Sequence, residues 1–237
     1  GTELKFYEEW KQKRLNWHLA LGLGQENYKF HDHEKLAHYA NAAADIEFKF
    51  PFGFKELEGI HSRTDFDLSA HEKFSGRKLQ YFDPERNENY VPYVVETSIG
   101  LDRMFLALFS NCLKDEVLED GSERTVLSLP PALAPVKAAI LPLVKKDGLP
   151  EFAEKIFNDL KYDFNVISEE KDSIGKRYRR QDAIGTPFCI TVDHDSLADG
   201  TVTLRERDTM KQERVKVEDL RRIIDEKVNF RTLLSKI

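Results

Sequence analysis

The pattern of apolar and polar residues predicts that the chain opens with a long helix. Four aromatic or aliphatic residues from Phe6 to Leu21 recur at helical spacing with basic residues between them. This pattern predicts an amphipathic helix that ends at Gly22 or Gly24. A second helix is predicted over residues 34–44, where Leu36 and three alanines share one face.

The apolar period then changes from helical spacing to strict alternation. Apolar residues alternate with charged ones from Ile46 to Phe52, which predicts a strand with Pro51 at its end. Further extended segments are predicted at residues 54–60, 78–82 and 91–96. Several strands joined by short polar turns are typical of an antiparallel sheet.

Beyond residue 124, short apolar runs alternate with helical patterns. The predicted strands cover residues 138–144, 164–167, 188–192, 201–204 and 214–217, and the predicted helices cover residues 150–160, 173–184 and 218–228. Ser173 is predicted as an N-cap, with Gly185 just past the same helix. This order predicts an α/β domain with a mixed, mainly parallel sheet, so the whole chain is classed as α/β, or α+β overall.

The polar, glycine-containing segment 119–124 is predicted to be the domain boundary, which gives domains at 1–123 and 124–237. Charge supports this division, because the net charge of −6 divides into −8 for the first part and +2 for the second. The acidic and mildly basic parts therefore suggest two domains with different ligands. The +2 part is too weakly basic to establish nucleic-acid binding by its net charge alone.

Composition narrows the class of protein. The 237 residues are 41% hydrophobic and 33% charged, without an apolar run of the ~18 residues that a membrane span needs. The start of the sequence lacks the basic-then-apolar pattern that predicts export. Cys112 and Cys189 are isolated from each other, which is typical of proteins in a reducing compartment. We therefore expect a cytoplasmic protein that does not bind a membrane or zinc.

The segment from Glu96 to Arg103 joins an extended run to a helical run, and it carries the most specific chemistry. Backbone N–H groups at a helix start attract phosphate, and the planar guanidinium of Arg103 can clamp it. Glu96 and Ser98 just upstream suit a small ligand with an ammonium group. The alternative is a plain strand–turn–helix corner with Gly100 relieving the turn and Arg103 paired to a surface acid.

Glu56 and Glu58 lie two residues apart on a predicted strand, so we expect them to share one sheet face. Adjacent carboxylates repel unless a cation or a hydroxyl-rich ligand offsets their charge. Magnesium bound to a nucleotide is such a cation. The alternative is a solvated acidic face.

The helix predicted over residues 173–184 carries a basic cluster on its outer face. Lys176, Arg179 and Arg180 meet there by helical spacing and suit phosphate contact, with an ordinary solvated helix face as the alternative. Arg205 and Arg207 share a predicted strand face, where they contact RNA or pair with acids.

The histidines give no recognisable metal-ligand spacing. His31, His33 and His38 lack a cysteine or acid that would complete a site, so a polar loop before a helix is predicted there. His61 could approach a nucleotide, although a structural hydrogen bond is the preferred interpretation.

Together these segments resemble a known family. Residues 96–103 resemble motif 3 of class II aminoacyl-tRNA synthetases, and residues 55–60 with 63–68 resemble the segment between motifs 2 and 3 of glycyl-tRNA synthetases. The segments 129–137, 173–182, 185–188 and 203–208 resemble the anticodon-binding domain shared by glycyl-, prolyl-, threonyl- and histidyl-tRNA synthetases. Motifs 1 and 2 have no match, so the resemblance implies the end of a catalytic domain followed by an anticodon-binding domain.

The resemblance also assigns site residues. Glycine binding is implied for Glu96, Thr97, Ser98, Ile99 and Gly100. ATP binding is implied for Glu56, Leu57, Gly100, Leu101, Asp102 and Arg103, with Arg103 and Glu56 contributing to catalysis and Glu56 also near the magnesium of ATP. Many family members carry proline where Thr97 stands, and threonine can adopt the same extended conformation.

The implied activity is ATP-dependent formation of glycyl-adenylate, followed by transfer of glycine to tRNA(Gly). The implied partners are tRNA(Gly), glycine and ATP with Mg²⁺, in a homodimer that does not bind DNA. Without motif 2, which carries the arginine that grips the α-phosphate in this family, we expect the isolated chain not to activate glycine. The alternative function is a non-catalytic, synthetase-like subunit that binds nucleic acid.

Overall fold

A computed structural model describes residues 1–235, and these fall into two compact units, residues 1–110 and 111–235. The last two residues of the predicted second domain, 236 and 237, lie outside the described residues. Among those described, no helix is both long and apolar enough to cross a lipid bilayer.

The first unit combines a long helix with an antiparallel sheet. Its elements are α1 (Glu3–Ala20), β1 (Tyr28–Asp32), β2 (Ala42–Phe50), β3 (Gly53–Ser62), α2 (Phe66–Ser75), β4 (Tyr81–Asp83), β5 (Glu88–Tyr90), β6 (Val95–Ile99) and α3 (Leu101–Cys112), whose last residues lie beyond the division. The strands β1, β2, β3 and β6 form a four-stranded antiparallel sheet in that order, and β4 pairs with β5 as a separate hairpin. The predicted antiparallel sheet is thus confirmed.

Helix α1 covers one face of this sheet. His18 of α1 packs against Tyr28, whose ring contacts Phe48, and both Ile46 and Ile60 are fully buried. The face predicted for α1 is only partly correct, because Phe6 and Trp10 stay largely exposed while Tyr7 and His18 are buried.

A β-bulge interrupts the pairing of β2 with β3. Ile46 pairs with Glu58 and Glu47 pairs with Glu56, so Leu57 is an extra residue on β3. An extra residue reverses which face the following side chains occupy. Glu56 and Glu58 therefore lie on opposite faces, and the prediction that they share a face is wrong.

Glu58 lies on the face covered by α1 and is buried there. Its carboxylate accepts hydrogen bonds from Arg14 Nε and Nη2, at 2.5 and 3.1 Å, and lies 2.8 Å from His18 Nε2. Burial acts to raise the pKa of Glu58, but the hydrogen bonds from His18 and Arg14 outweigh it, so the pKa lies below its ordinary value. Its two partners, and not a nucleotide-bound cation, therefore balance this charge.

The predicted helix over residues 34–44 is wrong. Residues 34–41 form turns and bends, and β2 begins at Ala42, with Ala43 and Ala44 buried in the sheet. Small apolar residues fit either period, so a short alanine run does not separate a helix from a strand.

The second unit alternates strands and helices, as predicted. Its elements are β7 (Leu113–Val117), β8 (Glu123–Leu127), β9 (Ala138–Pro142), α4 (Leu149–Leu160), β10 (Val166–Ser168), α5 (Ile174–Ile184), β11 (Phe188–Val192), α6 (His194–Asp199), β12 (Thr201–Glu206), β13 (Gln212–Lys216), α7 (Leu220–Val228) and α8 (Phe230–Leu234).

Its main sheet is mixed, in the order β10-β9-β11-β12-β13, with parallel pairing among the first three strands and antiparallel pairing among the rest. One face packs against apolar residues of α4 and α7, including Ile156 and Ile224. The other face packs against Ile174 and Tyr178 of α5. Ile184, the last residue of α5, is 47% exposed.

The segment predicted as the domain boundary, residues 119–124, closes the β7–β8 hairpin. Leu118 N–H donates to Ser122 O, and Arg124 already pairs with Glu116 across the two strands. The polar, glycine-containing sequence therefore marks a hairpin turn inside the second unit, and the compact units divide at residues 110 and 111.

We predict that Glu58→Gln lowers the free energy of unfolding by about 2 kcal/mol at pH 7, because a buried charge-assisted network loses its anion. Urea unfolding measures this effect. Since the folded pKa of Glu58 is depressed, its contribution is present above the ordinary value of 4.5 and is lost as the pH falls through the folded pKa. The difference from the unchanged chain should therefore shrink in acid.

The control for this prediction is Glu9→Gln, which removes one partner of an exposed pair with Lys5 on the same helix. That change should alter the unfolding free energy by less than about 0.5 kcal/mol. Equal effects of the two substitutions, or a Glu58→Gln difference that grows in acid, would contradict a structural role for Glu58.

Candidate ligand-binding face and basic helix

The face of the first sheet opposite α1 carries polar groups in register. His31, Asp45, Gly59 and Ser98 form one row across the four strands, and His61 pairs with Glu96 in a neighbouring row. Paired residues share a face of a sheet, so these groups lie together. The Glu58 carboxylate on the α1 face is buried and paired, whereas the polar side chains on the opposite face are exposed or half-buried.

Gly59 lies at the centre of this polar face. A Cβ atom at Gly59 would lie 2.9 Å from His61 Cε1 and 3.6 Å from Asp45 Oδ1. Because Gly59 has no side chain, the His61 ring can lie over the backbone of Gly59, the residue that pairs with Ser98 on the neighbouring strand. His33 approaches the same face, with its Nε2 2.8 Å from Asp45 Oδ2.

Arg103 and Glu56 meet where β6 passes into α3. The guanidinium of Arg103 donates to the backbone carbonyl of Glu56, and its Nη1 lies 3.4 Å from Glu56 Oε2. Both side chains are about half exposed, at 52% and 54%. The structure thus brings together two residues predicted from separate segments, at the exposed start of a helix.

Glu96 accepts a hydrogen bond from Arg63 Nη1 at 3.2 Å, and its side chain is 37% exposed. Arg63 also forms two hydrogen bonds to Asp67, at 2.6 and 3.1 Å. The Arg63 guanidinium holds the pKa of the Asp67 carboxyl below its usual range. Glu96 thus keeps a solvent-facing carboxylate on the same strand face as Ser98.

Several predicted site residues lie elsewhere. Thr97 and Ile99 pair with Ile60 and Glu58, so their side chains are on the α1 face and only their backbone can reach a ligand on the polar face. The Leu57 side chain is 1% exposed and belongs to the core. Two other predicted residues, Leu101 and Asp102, are exposed in the first turn of α3, just after Gly100.

The predicted basic cluster on α5 is only partly available. Lys176 is exposed and Arg179 is half-buried, and neither forms an ion pair within residues 1–235. Arg180 instead pairs with Glu169 and Asp172, which raises the pKa of Arg180. Arg177, between them in sequence, is buried and donates to backbone carbonyls.

Arg205 and Arg207 are buried, so the prediction that they contact RNA has to be corrected. Arg205 forms two hydrogen bonds to Asp182, at 2.8 and 2.9 Å, and lies over the ring of Tyr178. Arg207 donates to the carbonyls of Gly185 and Leu129 and is 1% exposed. Of the two alternatives left by the sequence, pairing within the protein is the one observed.

Three features of the polar face were missed by sequence reasoning. These features are the bulge at Leu57, the contact of Arg63 with Glu96 and the contact of His33 with Asp45. Each depends on partners that are distant in sequence or that belong to no motif. Within residues 1–235 no group of three or more histidine, cysteine or acidic side chains is arranged to hold a metal ion. His61 remains beside Glu96, its Nδ1 4.0 Å from Glu96 Oε1.

Comparison with known proteins shows which proteins the chain is similar to. Residues 137–227 match a family model described as an anticodon binding domain. The chain is 55% identical over 216 residues to a glycine--tRNA ligase of Chlorobaculum tepidum, with 91% of this chain and 46% of that protein aligned. It is 53% identical to the Macrococcus caseolyticus enzyme of the same name, over 97% of this chain and 50% of that one.

The fold is also similar to that of a solved synthetase. A crystal structure of prolyl-tRNA synthetase from Cryptosporidium parvum, complexed with L-proline and AMP, aligns with 99% of this chain at a TM-score of 0.63 and 15% identity. The chain is therefore similar in sequence and fold to class II aminoacyl-tRNA synthetases. Within that class its curated relatives are glycine--tRNA ligases, and it spans about half of their length.

Proposed function

We propose that this chain forms part of a glycine–tRNA ligase, a synthetase that uses ATP to join glycine to tRNA(Gly). The observation that carries the proposal is the polar sheet face on which Glu96 and Ser98 lie side by side, followed by Arg103 at the start of α3. High identity to glycine--tRNA ligases supports the choice of amino acid.

In this proposal Glu96 and Ser98 bind the ammonium group of glycine. The carboxylate supplies a charge-assisted acceptor and the hydroxyl a second acceptor, which suits an ammonium with three donors. Thr97, Ile99 and Gly100 contribute through their backbone. His61 over Gly59 narrows the space beside this pair, and a narrow site favours the amino acid without a side chain.

Arg103 takes the nucleotide in this proposal. Its guanidinium is half exposed and next to Glu56, so it can turn toward phosphate oxygens while the Glu56 carboxylate faces the magnesium that accompanies ATP. The backbone of Leu57 and the first turn of α3, with Leu101 and Asp102, complete the nucleotide contacts. ATP and Mg²⁺ are substrates here and not resident cofactors.

The reaction has two steps. In the first, an in-line displacement, a carboxylate oxygen of glycine attacks the α-phosphorus of ATP and pyrophosphate leaves. In the second, a terminal ribose hydroxyl of the tRNA attacks the carbonyl of glycyl-adenylate, loses its proton and forms the ester, and AMP leaves. None of these steps needs a covalent intermediate on the protein. The contribution of this chain is to orient glycine and to stabilise charge at the phosphates.

The second unit binds tRNA through the exposed part of α5 in this proposal. Lys176 and Arg179 are the solvent-accessible cations of the helix without an ion pair among the described residues, and phosphate contacts of this kind give salt-dependent affinity. Arg180 is a weaker contributor because Glu169 and Asp172 already neutralise it. The homodimer and the cytoplasmic location stay predictions of the family resemblance.

The proposal predicts that Glu96→Gln raises the KM for glycine by about tenfold or more, because a charge-assisted contact to ammonium is lost. Ser98→Ala removes only a neutral acceptor and should raise that KM by a smaller factor. Arg103→Gln should instead raise the KM for ATP or lower kcat. All three are measured by glycine-dependent ATP–pyrophosphate exchange with the protein expressed from its complete reading frame.

The control for the exchange assay is Glu88→Gln, which removes an exposed carboxylate from the β4–β5 hairpin of the same unit. Its KM values should stay within about twofold of the unchanged protein. Absence of glycine-dependent exchange in the complete protein would contradict the proposal and favour the non-catalytic accessory function.

A further prediction concerns tRNA. Replacing both Lys176 and Arg179 with glutamine should weaken binding of tRNA(Gly) and reduce the slope of log affinity against log salt by about 1 to 2, because two phosphate contacts are lost. Filter binding at several salt concentrations measures both quantities. Arg221 and Arg222 of α7, replaced together by glutamine, remove the same charge from residues already paired with acids, and this control should leave the slope unchanged. Equal loss in both variants would contradict an RNA-binding role for α5.

A further inference from the structure

We propose that Arg63 is a positioning residue for glycine recognition, which fixes the Glu96 carboxylate so that it faces the ammonium group. The inference rests on the proposed function and goes beyond it, because it concerns a residue outside the glycine-binding segment. Arg63 follows the end of β3, whereas Glu96 lies on the neighbouring strand β6.

The contacts of Arg63 divide its guanidinium between two acids. Nε and Nη2 donate to the two oxygens of Asp67, at 2.6 and 3.1 Å, and Nη1 donates to Oε1 of Glu96 at 3.2 Å. A two-point contact to Asp67 fixes the plane of the guanidinium. The third contact then fixes one oxygen of Glu96 and leaves its other oxygen available.

The local charges favour an ammonium ligand. One guanidinium faces two carboxylates, so a net charge of −1 remains among Arg63, Asp67 and Glu96. Because Asp67 already neutralises the cation, the contact to Arg63 orients Glu96 without cancelling its attraction for a positive group. The same geometry without Asp67 would weaken the attraction of Glu96 for ammonium.

The side chain and backbone of Arg63 are both held in place. Its guanidinium lies 4.2 Å from the centre of the Tyr39 ring, a cation–π contact. Its backbone N–H donates to Val94 O, and the N–H of Val94 donates to Thr64 O. These bonds join the end of β3 to the residue just before β6, so Arg63 is fixed relative to the strand that carries Glu96.

His61 approaches the same oxygen of the Glu96 carboxylate as Arg63 does. It pairs with Glu96 across the two strands, and its Nδ1 is buried 4.0 Å from Glu96 Oε1, without a hydrogen-bond partner among the described residues. Arg63 and His61 thus both lie near Oε1 of Glu96, which restricts rotation of the carboxylate. A carboxylate that cannot rotate loses less side-chain entropy when it binds a ligand.

The test is the glycine-dependent exchange assay with Arg63→Gln in the protein expressed from its complete reading frame. Loss of the positioning contact should raise the KM for glycine by about tenfold, while the KM for ATP stays within about twofold. Arg63→Lys keeps the charge but not the fork, and it should give an intermediate KM. In the double variant Arg63→Gln with Glu96→Gln, the KM for glycine should be no higher than for Glu96→Gln alone, because residues that act through one contact are not additive.

The matched control is Arg14→Gln, which breaks the corresponding arginine–glutamate contact on the α1 face of the same sheet. It should lower the thermal unfolding midpoint and leave the KM for glycine within about twofold. If Arg63→Gln does not fold, Asp67→Asn replaces it. Asp67→Asn releases the two-point hold on Arg63 and should also raise the KM for glycine with little change in the KM for ATP.

The outcomes separate this inference from the proposed function. If Glu96→Gln leaves the KM for glycine unchanged, the proposed function itself fails. If Glu96→Gln raises that KM but Arg63→Gln and Asp67→Asn do not, the positioning role is overturned while the proposed function stands. Equal increases of the KM for glycine and for ATP in Arg63→Gln would also overturn it, since such a change indicates a general loss of structure.

Discussion

One β-bulge determines how the charges of the first unit are distributed. Because Leu57 is an extra residue in β3, Glu58 turns into the core beside Arg14 and His18 while Glu56 turns to the polar face. Regular pairing would have placed both carboxylates on one face, where they would repel. The bulge gives one acid a structural role and leaves the other next to Arg103.

In the second unit, burial and ion pairing determine which cations are available to bind a ligand. Asp182 is fully buried and accepts hydrogen bonds from Arg124 and Arg205, so a single carboxylate joins the β7–β8 hairpin to the main sheet. Breaking such a buried network is strongly destabilising, and its arginines are therefore not free to bind RNA. On α5 itself, the cations that remain for the proposed phosphate contacts are Lys176 and Arg179.

Sequence alone predicted the elements with strong periodicity. The predicted order is found for helix α1, for strands β2 and β3 and for the alternating elements of the second unit. The family resemblance of residues 96–103 predicted that Glu96, Ser98 and Arg103 lie close together, where β6 passes into α3. The helix predicted over residues 34–44 was wrong because the spacing of the alanines before Ile46 fits both a helix and a strand. The bulge, the Arg63–Glu96 contact and the burial of Arg205 depend on partners distant in sequence, which no local pattern reports.

The central claim is that the face of the first sheet opposite α1 binds glycine and nucleotide. Hydrogen–deuterium exchange of the protein expressed from its complete reading frame, with and without a non-hydrolysable mimic of glycyl-adenylate, tests it most directly. The account predicts slower exchange in residues 56–63 and 95–103, with no change in α1 or α5. Slower exchange confined to α1 or to the second unit, or no effect of the mimic at all, would contradict it.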